Sequence, residues 1–354
     1  MAPVQQALTR TLLDLIAIPS VTGDEARICG HVEGRLRRGR PTAEIRRVGN
    51  SVAVGVPQPG DARPSLALFG HLDTVPGEQA PGRVEGDSLI GLGASDMKAG
   101  LAVMLELWDR LPADATLRLA LAFYDREEGD YDLNGLGPLM ESEPWLAECD
   151  LGLCLEPTDG QLQLGCVGSL HARLTVRGKA AHSARPWLGE NAIYRALPLL
   201  SELAEIAPRE VISGGLAFRE VTTVTLAEAG GGRNVVPAAF TLNVNVRFAP
   251  GRSPEEAEAE LRALVADHAE VEIIDRAPAA TVASDNPLLQ RLAEAGGLEL
   301  QPKQAWTDVA RLAAAGCDAA NFGPGLQTEA HKVGERCEIS KMVRGYQQLA
   351  ALLG

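Results

Sequence analysis

Ser65-Leu66-Ala67-Leu68-Phe69-Gly70-His71-Leu72-Asp73 is a short apolar run that ends in an imidazole and a carboxylate. It is too short for an ordinary helix and lacks polar alternation, so it reads as a strand buried on both faces. The same pattern recurs along the chain. Thr116 to Tyr124 runs into Asp125-Arg126-Glu127-Glu128, and Leu151 to Leu155 runs into Glu156-Pro157-Thr158. Asp318 to Phe322 runs into Gly323-Pro324-Gly325, with His331 shortly after. Between the first two runs, Ser95-Asp96 opens a helical stretch from Met97 to Trp108. Apolar runs alternating with helical patterns predict an α/β domain, a mostly parallel sheet flanked by helices. Such sheets bind ligands beyond the carboxyl ends of their strands, where histidines and carboxylates fall repeatedly here.

Outward from this core, Val4, Leu8, Leu12 and Leu15 form one face of an opening helix that Pro19 stops. Thr22-Gly23-Asp24-Glu25 reads as a capping box for a second helix carrying Ile28, Val32 and Leu36. From about residue 169 the pattern changes. Leu170, Ala172, Leu174 and Val176 alternate with polar residues, as in a half-buried strand. Asn191 to Ile206 reads as helix, and Val221 to Leu226 and Phe240 to Phe248 as strands. Ser253-Pro254-Glu255-Glu256 is a capping box with Pro at the first helical position, and Val271 to Ile274 is a last strand. The order βαββαβ predicts a ferredoxin-like unit over 169–279, inserted into a larger domain formed by 1–168 and 280–354.

The chain has 354 residues and a formal charge of −14. That balance repels a phosphate backbone and argues against general nucleic-acid binding. No apolar run approaches the 18 or so residues needed to cross a bilayer. The opening residues show no basic stretch leading into an apolar one, so no secretory signal is expected and the expected compartment is the cytoplasm. None of the six cysteines is spaced C-x-x-C, so a thiolate zinc site is not expected; in a reducing compartment all six are free thiols.

His71, Asp73, Asp96, Glu127, Glu128, Glu156 and His331 all stand at or near predicted strand ends. Imidazole and carboxylate are the ligands zinc accepts besides thiolate. Two metals about 3.5–4 Å apart need a bridging carboxylate and further N and O donors for each. Two His, one Asp and two Glu provide that set, and one Glu remains for proton transfer. Asp73, two residues after His71, can take the other ring N–H. Glu127 and Glu128 can splay in a turn, one toward a metal and one toward its water. The alternative is a set of solvated loop charges and locally bonded histidines.

Gly70-His71-Leu72-Asp73-Thr74-Val75-Pro76, Gly93-Ala94-Ser95-Asp96-Met97-Lys98-Ala99-Gly100, Glu127-Glu128-Gly129 and Glu156-Pro157-Thr158 resemble, in order, the motifs of the M20 family of dinuclear zinc amidohydrolases and peptidases. So do Gly178-Lys179-Ala180-Ala181-His182-Ser183, Asn234-Val235-Val236-Pro237 and the late His331. His182 to Ile193, Asn245 to Pro250, Trp306 to Arg311 and Asn321 to Gly325 look most like one branch of its succinyl-diaminopimelate desuccinylases, which release succinate from N-succinyl-LL-2,6-diaminopimelate in lysine synthesis. The resemblance implies a zinc-peptidase-like catalytic domain with a lid and dimerisation insert, a homodimer, and an N-acyl amino acid substrate. It implies two Zn²⁺: His71 and Glu156 on one, Glu128 and His331 on the other, Asp96 between them. The same donors accept Co²⁺ or Mn²⁺. It makes Glu127 the general base, Asp73 the residue that orients His71, and His182 a donor to the oxyanion in the partner's site. Asn234, Arg247, Thr307 and Gly323 match substrate-contacting positions. Arg247 also reads as an ordinary strand charge.

Two departures stand out. The commoner desuccinylase pattern has an Arg shortly before Gly168-Ser169, where this chain has Cys166-Val167, and a Tyr three residues after the lid His, where it has Arg185. Arg185 can supply the missing positive charge to the substrate. Other M20 deacylases share the ligands, among them N-acetylornithine and N-acetylcitrulline deacetylases, aminoacylases and dipeptidases. A binding protein on an inactive scaffold would have lost a ligand or the base, and none is lost. Gly91-Leu92-Gly93 is not a dinucleotide turn, because Asp96 replaces the third glycine.

Overall fold

The computed structural model describes residues 2–354 and divides the chain into two units. One runs through Gly165 and resumes over Val282–Lys303 and Thr307–Gly354; the other comprises Cys166–Thr281 with Gln304–Trp306.

The first unit is built on an eight-stranded sheet. Its strands, in spatial order, are Ile45–Val48, Ser51–Val54, Arg118–Tyr124, Ser65–His71, Leu151–Cys154, Ala319–Asn321, Leu162–Leu164 and Leu300–Pro302. Ser65–His71 pairs in parallel with both Arg118–Tyr124 and Leu151–Cys154, and Ala319–Asn321 is parallel to Leu151–Cys154. The four central strands therefore point the same way. The first two strands and the pairing of Ala319–Asn321 with Leu162–Leu164 are antiparallel. Ser65–His71 is buried at every position, as a strand covered on both faces must be.

Ala99–Arg110 is apolar nearly all round and buried as far as Trp108, the mark of a helix enclosed by neighbours. Ala2–Ile16, Ala26–Gly39 and Ile339–Leu353 pack against it. Its one buried acid, Glu106, is bonded by Thr11 (2.7 Å) and Arg35 (2.5 Å). The capping box expected at Thr22 does not form. Ala26–Gly39 has no side-chain cap, Glu25 accepts from the Gly23 N–H (2.5 Å), and the Thr22 hydroxyl goes to Asp73 (3.0 Å). With φ +95°, Gly23 turns the chain away from the geometry a box requires.

The second unit has a five-stranded antiparallel sheet, ordered Arg209–Ser213, Leu216–Ala229, Ala239–Phe248, Gly168–Arg177 and Glu270–Ala277. Without its first edge strand, the spatial order of the chain's strands is second, third, first, fourth, with helices in the ferredoxin-like connections. Leu170, Leu174, Val244 and Phe248 form its core with Leu199 and Leu261 of Leu197–Glu205 and Pro254–Val265. The Ser253–Glu256 capping box forms with both of its hydrogen bonds. The edge strand Arg209–Ser213 was not expected. It is held by a hairpin through Gly214 and Gly215, both at positive φ, and its two apolar residues, Val211 and Ile212, are adjacent and so show no alternation. The helix expected over 191–206 is two, Ala192–Arg195 and Leu197–Glu205.

Candidate metal centre

Parallel neighbours deliver their carboxyl ends side by side. Ser65–His71 ends on His71; Arg118–Tyr124 on one side leads into the turn holding Glu127 and Glu128; Leu151–Cys154 on the other leads to Glu156. Ala319–Asn321, next along, leads to Gly323 and onward to His331. Asp96 lies just ahead of Ala99–Arg110, after Gly93 has reversed the chain at φ +78°.

These residues converge. His71 Nε2 lies 3.2 Å from Asp96 Oδ1, and His331 Nε2 lies 3.5 Å from Asp96 Oδ2. One carboxylate thus presents an oxygen to each imidazole. His331 Nε2 is also 3.0 Å from Glu128 Oε1. Three groups bring potential ligand atoms within 4.8 Å of one another: His71, Asp96 and Glu156; Asp96, Glu128 and His331; and His71, Glu127 and Glu128.

Asp73 does more than the sequence suggested. His71 Nδ1 is nearer its main-chain carbonyl (3.1 Å) than its carboxylate (3.4 Å). That carboxylate accepts the Thr22 hydroxyl and the backbone N–H groups of Glu127 and Glu128, all at 3.0 Å. Asp73 therefore fixes the turn of the paired glutamates as well as the ring.

Charge explains what the cluster needs. Asp73, Asp96, Glu127, Glu128, Glu156 and Glu335 bring six carboxylates together, against the two buried ammonium groups of Lys98 and Lys303. Burial, then the Glu156 carboxylate, holds Glu127 well above the usual carboxylate range. Burial pushes Glu156 up to about 7, aided by Asp96 and Glu128 and opposed by His71 and Lys303. The Asp96 and Glu128 hydrogen bonds raise His331 to about 10. Uncompensated buried charge of this kind takes up protons or cations. Glu156 Oε1 is buried with no hydrogen-bond partner, although Glu156 shares a group with His71 and Asp96. An orphan carboxylate oxygen beside imidazole and carboxylate donors fits a divalent cation, zinc among them.

The sign of the pH response follows. His331, raised to about 10, is protonated at pH 7, whereas a ligand must be unprotonated. Cation uptake at pH 7 is expected to release about one proton or more per chain, and affinity to strengthen as pH rises from 7 toward 10. Calorimetry in buffers of different ionisation enthalpy reads this directly; uptake without proton release would contradict it.

The remaining candidate residues fall in both units. Gly323 is in the first, where an added Cβ would lie 2.2 Å from the Leu155 carbonyl oxygen and 2.3 Å from that of Glu156. A glycine there lets one loop lie against the backbone that carries Glu156. Thr307 is buried in the same unit. In the second unit, Ala181–His182 pairs with Val235–Val236 and the Ser183 N–H donates to the Asn234 carbonyl (2.9 Å), so His182 and Asn234 come together. His182 Nδ1 accepts the Ala184 N–H (3.0 Å), which leaves the neutral ring's proton on Nε2 as a donor. Arg185 is exposed beside it. The half-buried Arg247 donates to Asn245 Oδ1 (2.8 Å) and has no ion pair among the described residues. Sequence reasoning missed Thr22, Lys303 and Glu335. Lys303, bonded to the Pro157 carbonyl (3.1 Å), offered no signal beyond a lone lysine.

A model of peptidase family M20/M25/M40 matches residues 67–354. The chain belongs to that family. Among the M20 relatives, it is 40% identical over 350 residues to a Mycobacterium tuberculosis protein named "Putative succinyl-diaminopimelate desuccinylase DapE", covering 98% of this chain and 97% of the other. It is 38% identical over 345 residues to the succinyl-diaminopimelate desuccinylase of Corynebacterium glutamicum, covering 95% and 92%. The M20 family metallo-carboxypeptidase Sso-CP2 of Sulfolobus solfataricus shares the fold, with a TM-score of 0.81 at 16% identity and 98% of each chain covered. The protein is an M20 metallo-amidohydrolase, of a family that depends on metal and acts on small peptide-like substrates. No helix among its described residues is long and apolar enough to cross a membrane.

Proposed function

We propose that this M20 enzyme is a succinyl-diaminopimelate desuccinylase working with two Zn²⁺ as a homodimer. The observation that carries the chemistry is Asp96, with one oxygen toward His71 and the other toward His331. The substrate assignment rests on near full-length similarity to the two desuccinylase-named relatives. In this reading His71 and Glu156 would hold one cation and Glu128 and His331 the other, with Asp96 available to both. When bound, the cations make water more acidic and polarise the scissile carbonyl.

The protein's own groups do the rest. Glu127, kept proton-avid by burial and by Glu156, takes the proton of the attacking water. As the C–N bond breaks it returns that proton to the leaving amine, so succinate and diaminopimelate are released. Asp73 holds Glu127 in place through its backbone N–H. His182, whose Nε2 is left as donor, stabilises the oxyanion from the partner subunit. Arg247, half-buried and donating to Asn245, receives a substrate carboxylate, with Asn234, Thr307, Gly323 and Arg185 also contacting substrate.

The test is kcat/KM for N-succinyl-LL-2,6-diaminopimelate beside N-acetylornithine, with zinc supplied. The succinylated substrate is expected to win by about 100-fold or more; parity or reversal would make the protein a different M20 deacylase. Arg185→Ala is expected to raise KM for the succinylated substrate while kcat holds. An unchanged KM would remove Arg185 from the pocket.

A further inference from the structure

Glu335 is buried, four residues beyond His331, and its carboxylate points at backbone. Oε1 accepts the N–H groups of Ser95 (2.7 Å) and Asp96 (2.7 Å), and Oε2 accepts that of Gly93 (2.6 Å). Its own carbonyl accepts the Gly91 N–H (2.9 Å). Next to it the Ser95 hydroxyl donates to the Arg336 carbonyl (2.6 Å) and accepts the Leu326 N–H (2.8 Å). Gly325 lies so near this loop that an added Cβ would stand 2.1 Å from the Ser95 carbonyl oxygen. The segment that carries His331 is thus fastened on both sides to the loop that carries Asp96.

We infer that Glu335 is a positioning residue that sets Asp96 against His331, so that the two form one cation site. The inference rests on the metal reading above. A carboxylate whose two oxygens accept three N–H groups fixes the loop that carries them, and here the loop's last N–H belongs to Asp96 itself. Glutamine at this position keeps the shape but turns an NH₂ toward at least one N–H donor, leaving that group unsatisfied. Nothing covalent breaks; the loop loses its register. Outer partners of metal ligands typically govern 10–100-fold in affinity.

The experiment is competition of Zn²⁺ against a chromophoric chelator, with Co²⁺ absorption spectra, on the full chain and on Glu335→Gln. Glu106→Gln is the comparison, since Glu106 is also buried and hydrogen-bonded but belongs to the helix bundle. The full chain should bind two cations. Glu335→Gln should bind one of them about 10–100-fold more weakly, with a changed Co²⁺ spectrum. Glu106→Gln should keep both affinities, whatever it does to the unfolding temperature. If Glu335→Gln holds both cations as the parent does, the inference falls even if the variant melts earlier. If the parent itself binds fewer than two, the metal reading fails instead. Should Glu335→Gln not fold, Ser95→Ala decides: weakened cation binding supports the clamp, and parental affinity overturns it.

Discussion

Glu127→Gln is expected to lower kcat by about 10³- to 10⁴-fold, the upper range for removing a general base, while both cations remain bound. Three features lead to this. Glu127 stands beside the ligand groups, its backbone N–H is pinned by Asp73, and burial with the neighbouring Glu156 makes its carboxylate hold protons tightly. A group with a raised pKa opposes folding whenever pH forces it to ionise. Replacing it by a neutral amide of equal size should therefore not lower the unfolding temperature of the metal-free protein at pH 8. The loss belongs in kcat, with KM little changed, because the interaction is made in the transition state. Cation content falling together with kcat would recast Glu127 as a ligand.

Asp96→Ala should be at least as severe. Both imidazoles lose a shared partner at 3.2 and 3.5 Å, so at least one cation should be lost at micromolar zinc. Lewis-acid stabilisation amounts to several kcal/mol, or about 10³-fold or more in rate. A second signature is independent of turnover. In the metal-free protein the Asp96 hydrogen bond is the largest cause of His331's rise to about 10, so its removal should lower the His331 titration midpoint, read by NMR. An unchanged midpoint together with unchanged zinc content would show that Asp96 links nothing.

Legibility followed the range of the interactions. Buried parallel strands print themselves as unbroken apolar runs, so Ser65–His71, Arg118–Tyr124 and Leu151–Cys154 could be read, and with them His71, Glu127, Glu128 and Glu156 at their ends. In the ferredoxin-like unit alternation marked Gly168–Arg177, whereas the edge strand Arg209–Ser213 buries too little to need an apolar face. Thr22 was misleading because a capping pattern is local while its hydroxyl partner, Asp73, is 51 residues away. Glu335 was silent for the same reason at greater distance: its three N–H partners lie 239 to 242 residues back. His182 and Asn234 meet through a two-residue ribbon, which has no periodicity to detect. Motif resemblance, rather than any local pattern, brought them into view.

Zinc-edge anomalous diffraction from crystals of the zinc-loaded protein measures the central claim. Two peaks about 3.5–4 Å apart are predicted, one touched by His71 and Glu156, the other by Glu128 and His331, with a different oxygen of Asp96 on each. A single peak, or a pair that leaves Asp96 out of reach of either, would contradict the account.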